Sequence, residues 1–343
     1  MGKIKSTTRR ALTTLICLSF SIITLSARTI EVGEGKAFSS ISAALHKAKA
    51  KDEILIYGKK IYKEHLVIQK PITLKGVGTP IIDGGQRGDV IKVNADNVTI
   101  EGLQIQNSAR SSQVDYCGVH VKDAQFVTVR NCVFRKNQFS VMFQNCKNGL
   151  IANNNISSNI TYNPIMGNAV HCWKSDNMHI TGNNIGHNRD GIYLEFVNNS
   201  HIDHNTVSGC ARYGLHFMFS HFNVYNSNRF NHNQAGVAVM FAHNVEMINN
   251  TFEFNRGTSS YGLLIKELQY STIKWNRFLD NTVGLLIDGG SDLNVHHNVI
   301  KNNGWGMRLI SASTNDTIRH NNFLGNTFDM TTNVSYNRNN VNG

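Results

Sequence analysis

The chain has 343 residues, 41% of them hydrophobic, and a formal charge of +11. That hydrophobic content supports a sizeable core, while the absence of any Lys/Arg cluster interleaved with aromatics argues against a nucleic-acid partner. The basic balance is compatible with acidic proteins, anionic lipid or polyanionic sugars and selects none of them.

The first residues, "MGKIKSTTRRALTTLICLSFSIITLSA", place four basic side chains before an apolar run from about Ala11 to Leu25. Small residues follow at Ser26 and Ala27. This is the pattern of a secretion signal over residues 1–27, too short for a comfortable membrane span. It predicts export to the periplasm by the general secretory route, and no transmembrane span in the mature chain. Removal of the leader lowers the formal charge from +11 to +7 and leaves Cys117, Cys132, Cys146, Cys172 and Cys210. An odd number at irregular spacing is not a disulfide framework, and no CxxC pair supports zinc.

Next, "FSSISAALHKAKAKDE" (38–53) sets Phe38, Ile41, Leu45 and Ala48 near one helical face. Ser39 or Ser40 can serve as N-cap, so a short capping helix is expected here. The segments "EILIY", "HLVIQKPITLKG" and "VIKVNADNVTIEGLQIQNS" then read as the opening strands.

From there the chain is an internal repeat. The segments "ANNNI", "TGNNI", "DHNTV", "NSNRF", "INNTF", "KWNRF", "HHNVI" and "RHNNF" share an Asn at 154, 183, 205, 228, 250, 276, 298 and 321. Most steps are 22 or 23 residues, and two are lengthened by insertions near "ITYNPIM" and "RGTSSY". Five residues later a second position recurs as Asn159, Asn188, Cys210, Asn233, Asn255, Asn281, Asn303 and Asn326. A Gly-hydrophobic-x-hydrophobic strand follows, as in "GIYL", "GLHF" and "GVAV". This pattern predicts an all-β fold over residues 28–343: a right-handed, single-stranded parallel β-helix of about 22–23 residues per coil. Stacked Asn154, Asn183, Asn205, Asn228, Asn250, Asn276, Asn298 and Asn321 would form amide ladders at inward corners. Cys132 and Cys210, falling in those columns, read as buried thiols.

Alternate residues of the recurring strand face in and out. Val119, Val121, Val141, Phe143, Val170, Cys172, Ile192, Leu194, Leu215, Phe217, Val237 and Val239 are assigned to the core. The outward residues make two columns. One runs His120, Met142, His171, Tyr193, His216, Ala238, Leu264, Leu286, Arg308, and the other Lys122, Gln144, Trp173, Glu195, Met218, Met240, Lys266, Asp288, Ile310. His216 and Met218 share a face about 6.5–7 Å apart along one strand, and Met240 stacks on Met218 at about 4.8 Å. One imidazole and two thioethers form a soft donor set, which suits Cu(I) better than Zn(II), Ca(II) or Mg(II). His171 and Glu195 are nearby candidates for a further ligand or for supporting one. Methionines on a sheet face also simply pack under a partner, and the remaining histidines fall mostly at turns.

The same face admits an enzymatic alternative. Trp173, Tyr193, Glu195 and His171 could stack on a sugar and supply acid–base groups, as a polyuronate lyase or epimerase requires. Such an enzyme also needs a cation near the base to neutralise the uronate, and Ala238, Leu264 and Leu286 make much of the face apolar. A non-catalytic scaffold or adhesin is the third reading.

The stretch "RYGLHFMFSHFNVYNSNRFNHNQAGVAVMFAHNVEMINNTF", followed by "YGLLIKEL" and "NTVGLLIDG", resembles the periplasmic copper-binding NosD family of nitrous oxide reductase maturation. The resemblance runs from about residue 30 to the end and is most specific over 212–268. It implies a non-enzymatic accessory protein with copper as cargo. The partners implied are an ABC transporter membrane subunit, a copper-chaperone lipoprotein and nitrous oxide reductase. His216, Met218 and Met240 match the family's "GLHFM" and "AVM" segments. It also implies a further Tyr/Trp-containing, Asp/Gly-rich segment beyond the last coil, near where this sequence stops at "NVSYNRNNVNG".

Overall fold

A computed structural model of the protein describes residues 27–58, 60–158, 165–311, 313–333 and 339–342. The leader assigned to residues 1–27 therefore lies almost wholly outside the described residues, as does Asn159 of the second polar column.

The chain winds as a parallel β-helix. Its strands form one 14-stranded and two 12-stranded sheets, and, after the first two strands of the chain, which pair directly, the neighbour of a strand is the strand three further along. Three strands thus make one coil, and every named pairing is parallel, as between Ile192–Asn198 and Tyr213–Met218. The residues assigned to the core face inward as expected. Val119, Val121, Val141, Phe143, Val170, Cys172, Ile192, Leu194, Leu215 and Phe217 are all 0% exposed. The interior is built of like residues on like, for example Phe230 on Phe252 and Phe252 on Phe278 at centroid separations of 5.7 and 4.8 Å.

The recurring Gly is required by close approach. A Cβ at Gly214 would sit 2.7 Å from the Gly236 carbonyl oxygen and 2.8 Å from Asn233 Nδ2. Asn233 belongs to the second Asn column, which lies against these glycines, while the first column stacks amide on amide. Asn205 Nδ2 donates to Asn228 Oδ1 at 3.0 Å, and Asn228 Nδ2 to Asn250 Oδ1 at 3.0 Å. The same oxygens also accept a backbone N–H, from Asn205 at 3.1 Å and from Asn228 at 3.0 Å. The run is continuous from Asn154 through Asn183, Asn276 and Asn298 to Asn321. A second ladder links Asn255, Asn281, Asn303 and Asn326. Here Cys210 breaks the row: its N–H reaches Asn233 Oδ1 at 2.9 Å, but Asn188 Nδ2, one coil earlier, is buried without a hydrogen-bond partner.

The capping helix is shorter than the expected 38–53 and spans Ile41–Lys47. Ser40 is its N-cap, and Glu64 accepts from the Ile41 and Ser42 N–H groups at 3.0 and 2.8 Å. It stops because Ala48 turns extended, its carbonyl held by Lys70 Nζ at 2.7 Å, and Asp52 takes the Lys49 N–H at 2.8 Å. Ile41 and Ala44 are buried under it and cover the first coil.

Two substitutions test the ladder. Asn228→Ala strands buried donors and acceptors on both neighbouring coils and should lower stability by about 1–3 kcal/mol. Cys210→Asn should restore the missing rung above Asn188 and raise stability by about 1 kcal/mol. Shifts of the urea unfolding midpoint in opposite directions are the expected result.

Candidate metal site

The site lies on the outward face of the 12-stranded sheet that contains Val170–Asp176, Ile192–Asn198, Tyr213–Met218 and Ala235–His243. Its register is the expected one. Tyr193 opposes His216, Glu195 opposes Met218, and Met218 opposes Met240. The two thioethers are therefore neighbours on adjacent strands, half-buried, with His216 two residues from Met218 on the same face.

His216 is less open than its position on an outward column suggests. It is 6% exposed, because side chains from its own and the preceding coil wall it in. The rings of Tyr193 and Tyr213 lie at centroid distances of 4.9 and 4.8 Å. Arg212 Nη2 is 3.4 Å and Asp190 Oδ2 4.0 Å from His216 Nδ1. His216 Nε2 is buried and has no hydrogen-bond partner. Burial lowers the pKa of this imidazole to about 4, against the opposing pull of Asp190, so it is neutral at physiological pH. A neutral imidazole is the metal-binding form.

Asp190 stands directly before the recurring Gly191. It is fully buried and receives Arg212 Nε at 2.9 Å, Arg212 Nη2 at 2.6 Å and the Tyr213 N–H at 3.2 Å. Arg212 was not identified at all. It precedes the strand by one residue, outside the alternation used to choose outward positions. Tyr193 links the parts of the site: its hydroxyl donates to Met218 Sδ at 3.8 Å, and burial beside Glu195 raises its pKa to about 12.

His171 does not join His216. The Tyr193 ring stands between them, 4.8 Å from His171 and 4.9 Å from His216. Both His171 nitrogens are buried and unpartnered, and desolvation lowers its pKa to about 4. Glu195 stays beside Met218, half-buried. The five cysteines among the described residues are buried and free. Desolvation raises the Cys132 and Cys210 thiols to about 12 and Cys146 to about 11, so they remain protonated, as expected of interior thiols. His187, His204, His232, His297 and His320 occupy left-handed turn positions, in keeping with a corner role.

The sequence profile of a family described as periplasmic copper-binding protein (NosD) matches residues 51–168 and 159–343. The chain belongs to the NosD family. A curated relative from Pseudomonas aeruginosa, named as a probable ABC transporter binding protein NosD, is 26% identical over 132 residues. The match covers 38% of this NosD-family chain and 31% of the relative, so it spans about a third of the relative's length. Among solved structures, the A-module of the Azotobacter vinelandii mannuronan C-5 epimerase AlgE4 superposes with a TM-score of 0.63 at 14% identity, covering 89% of this chain and 94% of that one. The Streptococcus pneumoniae surface adhesin PfbA gives 0.66 at 12% identity, covering 85% and 94%. These likenesses show a shared β-helix fold and nothing of the chemistry. Among the described residues, no helix of this NosD-family chain is long and apolar enough to cross a membrane.

The two depressed imidazoles predict a pH dependence of stability. Unfolded histidine takes up a proton near pH 6.5, whereas folded His171 and His216 do so only near 4. Between those values the unfolded state binds more protons, so stability should fall as pH drops from about 6.5 to about 4 and stay level above it. A His171→Phe, His216→Phe double variant should show a shallower decline in its urea midpoint over that window.

Proposed function

We propose that this chain carries Cu(I) at His216, Met218 and Met240 and passes it on during assembly of the copper sites of nitrous oxide reductase. It would do so in the periplasm, after export by the general secretory route, together with an ABC-type membrane transporter and a copper-chaperone lipoprotein. Membership of a copper-binding family supports the cargo, and the curated relative's name supports the transporter. The observation that carries the reading is the donor set. Met218 and Met240 are register partners, and His216 beside them has a buried Nε2 with no partner. Thioethers are weak donors to Zn(II) or Ca(II) and good ones to Cu(I).

The arrangement also suits exchange. Met218 and Met240 remain half-exposed while His216 is enclosed, so an incoming donor from a partner would meet the thioethers first. Ligand replacement could then proceed stepwise, with the imidazole released last. Tyr193 holds Met218 Sδ in place through its hydroxyl until copper arrives.

The polyuronate lyase or epimerase reading is weaker. Arg212 is the cation such an enzyme would need beside His216, but two of its nitrogens are spent on Asp190. The two thioethers have no part in proton abstraction from a uronate.

Anaerobic Cu(I) titration against a competing chelator tests the reading. The wild type should bind copper stoichiometrically, and a folded His216→Ala, Met218→Ala, Met240→Ala variant should lose one equivalent. Single Met→Ala changes should each weaken binding about tenfold or more. Copper binding unchanged in the triple variant would sink the site. An absence of copper binding together with turnover of polymannuronate would favour the enzyme.

A further inference from the structure

Four strands before Tyr213–Met218, the same sheet holds a second set of ligand atoms that the copper site does not use. Cys117 and His120 lie on the strand Cys117–Lys122, and Asp89 lies just before the neighbouring strand Ile91–Val93. The Cys117 sulfur, an imidazole nitrogen of His120 and a carboxylate oxygen of Asp89 all fall within 4.8 Å of one another. Asp89 organises the group: Oδ1 accepts the Cys117 N–H at 2.7 Å and Oδ2 lies 3.3 Å from His120 Nδ1. Cys117 is fully buried but stands apart from the main core, in a small cluster with Phe139 and Met142. Its thiol makes a long contact to the Asp115 carbonyl, at 3.6 Å, and lies beside the Asp89 carboxylate.

We propose that Asp89, Cys117 and His120 form a binding site for a zinc-type divalent ion, separate from the copper site. One thiolate, one imidazole and one carboxylate make a borderline N/O/S set, the kind that holds Zn(II), with a fourth position left for water. Cu(I) gains little from a carboxylate, so the two sites differ in softness. Ligand atoms around tetrahedral zinc stand about 3.3–3.8 Å apart, so side-chain movements of about an ångström close the site. As the Zn–S bond forms, the Cys117 S–H proton leaves to solvent, one proton per ion. Lys92 Nζ, 3.5 Å from Asp89 Oδ2, is the resident cation that zinc displaces. Its side chain is 53% exposed and can swing into water. The apolar wall of Phe139 and Met142 keeps water from the sulfur and strengthens the attraction between ion and thiolate.

None of the proposed copper ligands takes part in this site, so zinc and copper binding can be lost independently. The exported chain is titrated with Zn(II) against a chromophoric chelator and, in parallel, with Co(II) as a spectroscopic substitute. The wild type and the His216→Ala, Met218→Ala, Met240→Ala variant should both bind one zinc and release one proton, and both cobalt forms should show a sulfur-to-cobalt charge-transfer band. Cys117→Ser should abolish the band and the zinc equivalent. Asp89→Asn keeps an acceptor for the Cys117 N–H and should weaken zinc at least about tenfold with the fold intact. That variant decides the matter should Cys117→Ser fail to fold. A wild type that binds no zinc, zinc retained in full by Cys117→Ser or by Asp89→Asn, or Cys117-dependent binding of Cu(I) alone would each overturn the assignment.

Discussion

The asparagine ladder sets the terms for everything else in this molecule. A parallel sheet by itself tolerates a slip of register, because its backbone hydrogen bonds repeat along the strand. The side-chain amide of Asn228 removes that freedom, since it must meet Asn250 Oδ1 on one neighbour while its own oxygen takes two donors from Asn205. Shifting a coil by one residue would leave buried amides unpaired along the stack, at a cost of about 1–3 kcal/mol for each group. The register is therefore held by the interior, and the outward face is free to vary.

That division of labour lets side chains distant in sequence act as one group. Met218 and Met240 are 22 residues apart and meet because one coil has that length. Neither needs a loop to present it. These side chains inherit the rigidity of the ladder, which would limit the conformational freedom lost on binding the proposed ion. Burial of His216 between two tyrosine rings has a second consequence. It keeps the imidazole neutral, and so ready for a metal, well below the pH at which a solvated histidine would be protonated.

Much of the fold was legible in the sequence because the solenoid is nearly one-dimensional. Repeat length gave the coil, the recurring Asn gave the corners, and alternation after the Gly separated Leu215 and Phe217 from His216 and Met218. Helix length at the N-terminus was less legible: apolar spacing continues to Ala48, but Lys70, a residue from the next coil, terminates the helix by binding its carbonyl. The site was legible to the same degree. Pairing of Met218 with Met240 follows from the repeat, whereas the enclosure of His216 depends on how Tyr193, Tyr213 and Arg212 orient. The Asp89–Cys117–His120 group was hidden for a related reason. Asp89 sits in a turn 28 residues before Cys117, and Cys117 opens its strand before the regular alternation begins. A signal existed in the odd cysteine lying three residues from a histidine, but its carboxylate partner could be found only in three dimensions.

The outward face around His216 carries little of what an enzyme acting on a charged sugar polymer needs. An enzyme acting on a long sugar needs a groove with free cations, and the face beyond His216 instead runs through Ala238, Leu264 and Leu286, all buried or half-buried. The nearby guanidinium of Arg212 is neutralised by a fully buried carboxylate, which removes it as an anchor for an anionic polymer. What the face retains is soft sulfur and uncharged imidazole beside an ion pair closed on itself. Such a group offers a uronate no free guanidinium, and its soft donors suit the monovalent soft cation proposed for it.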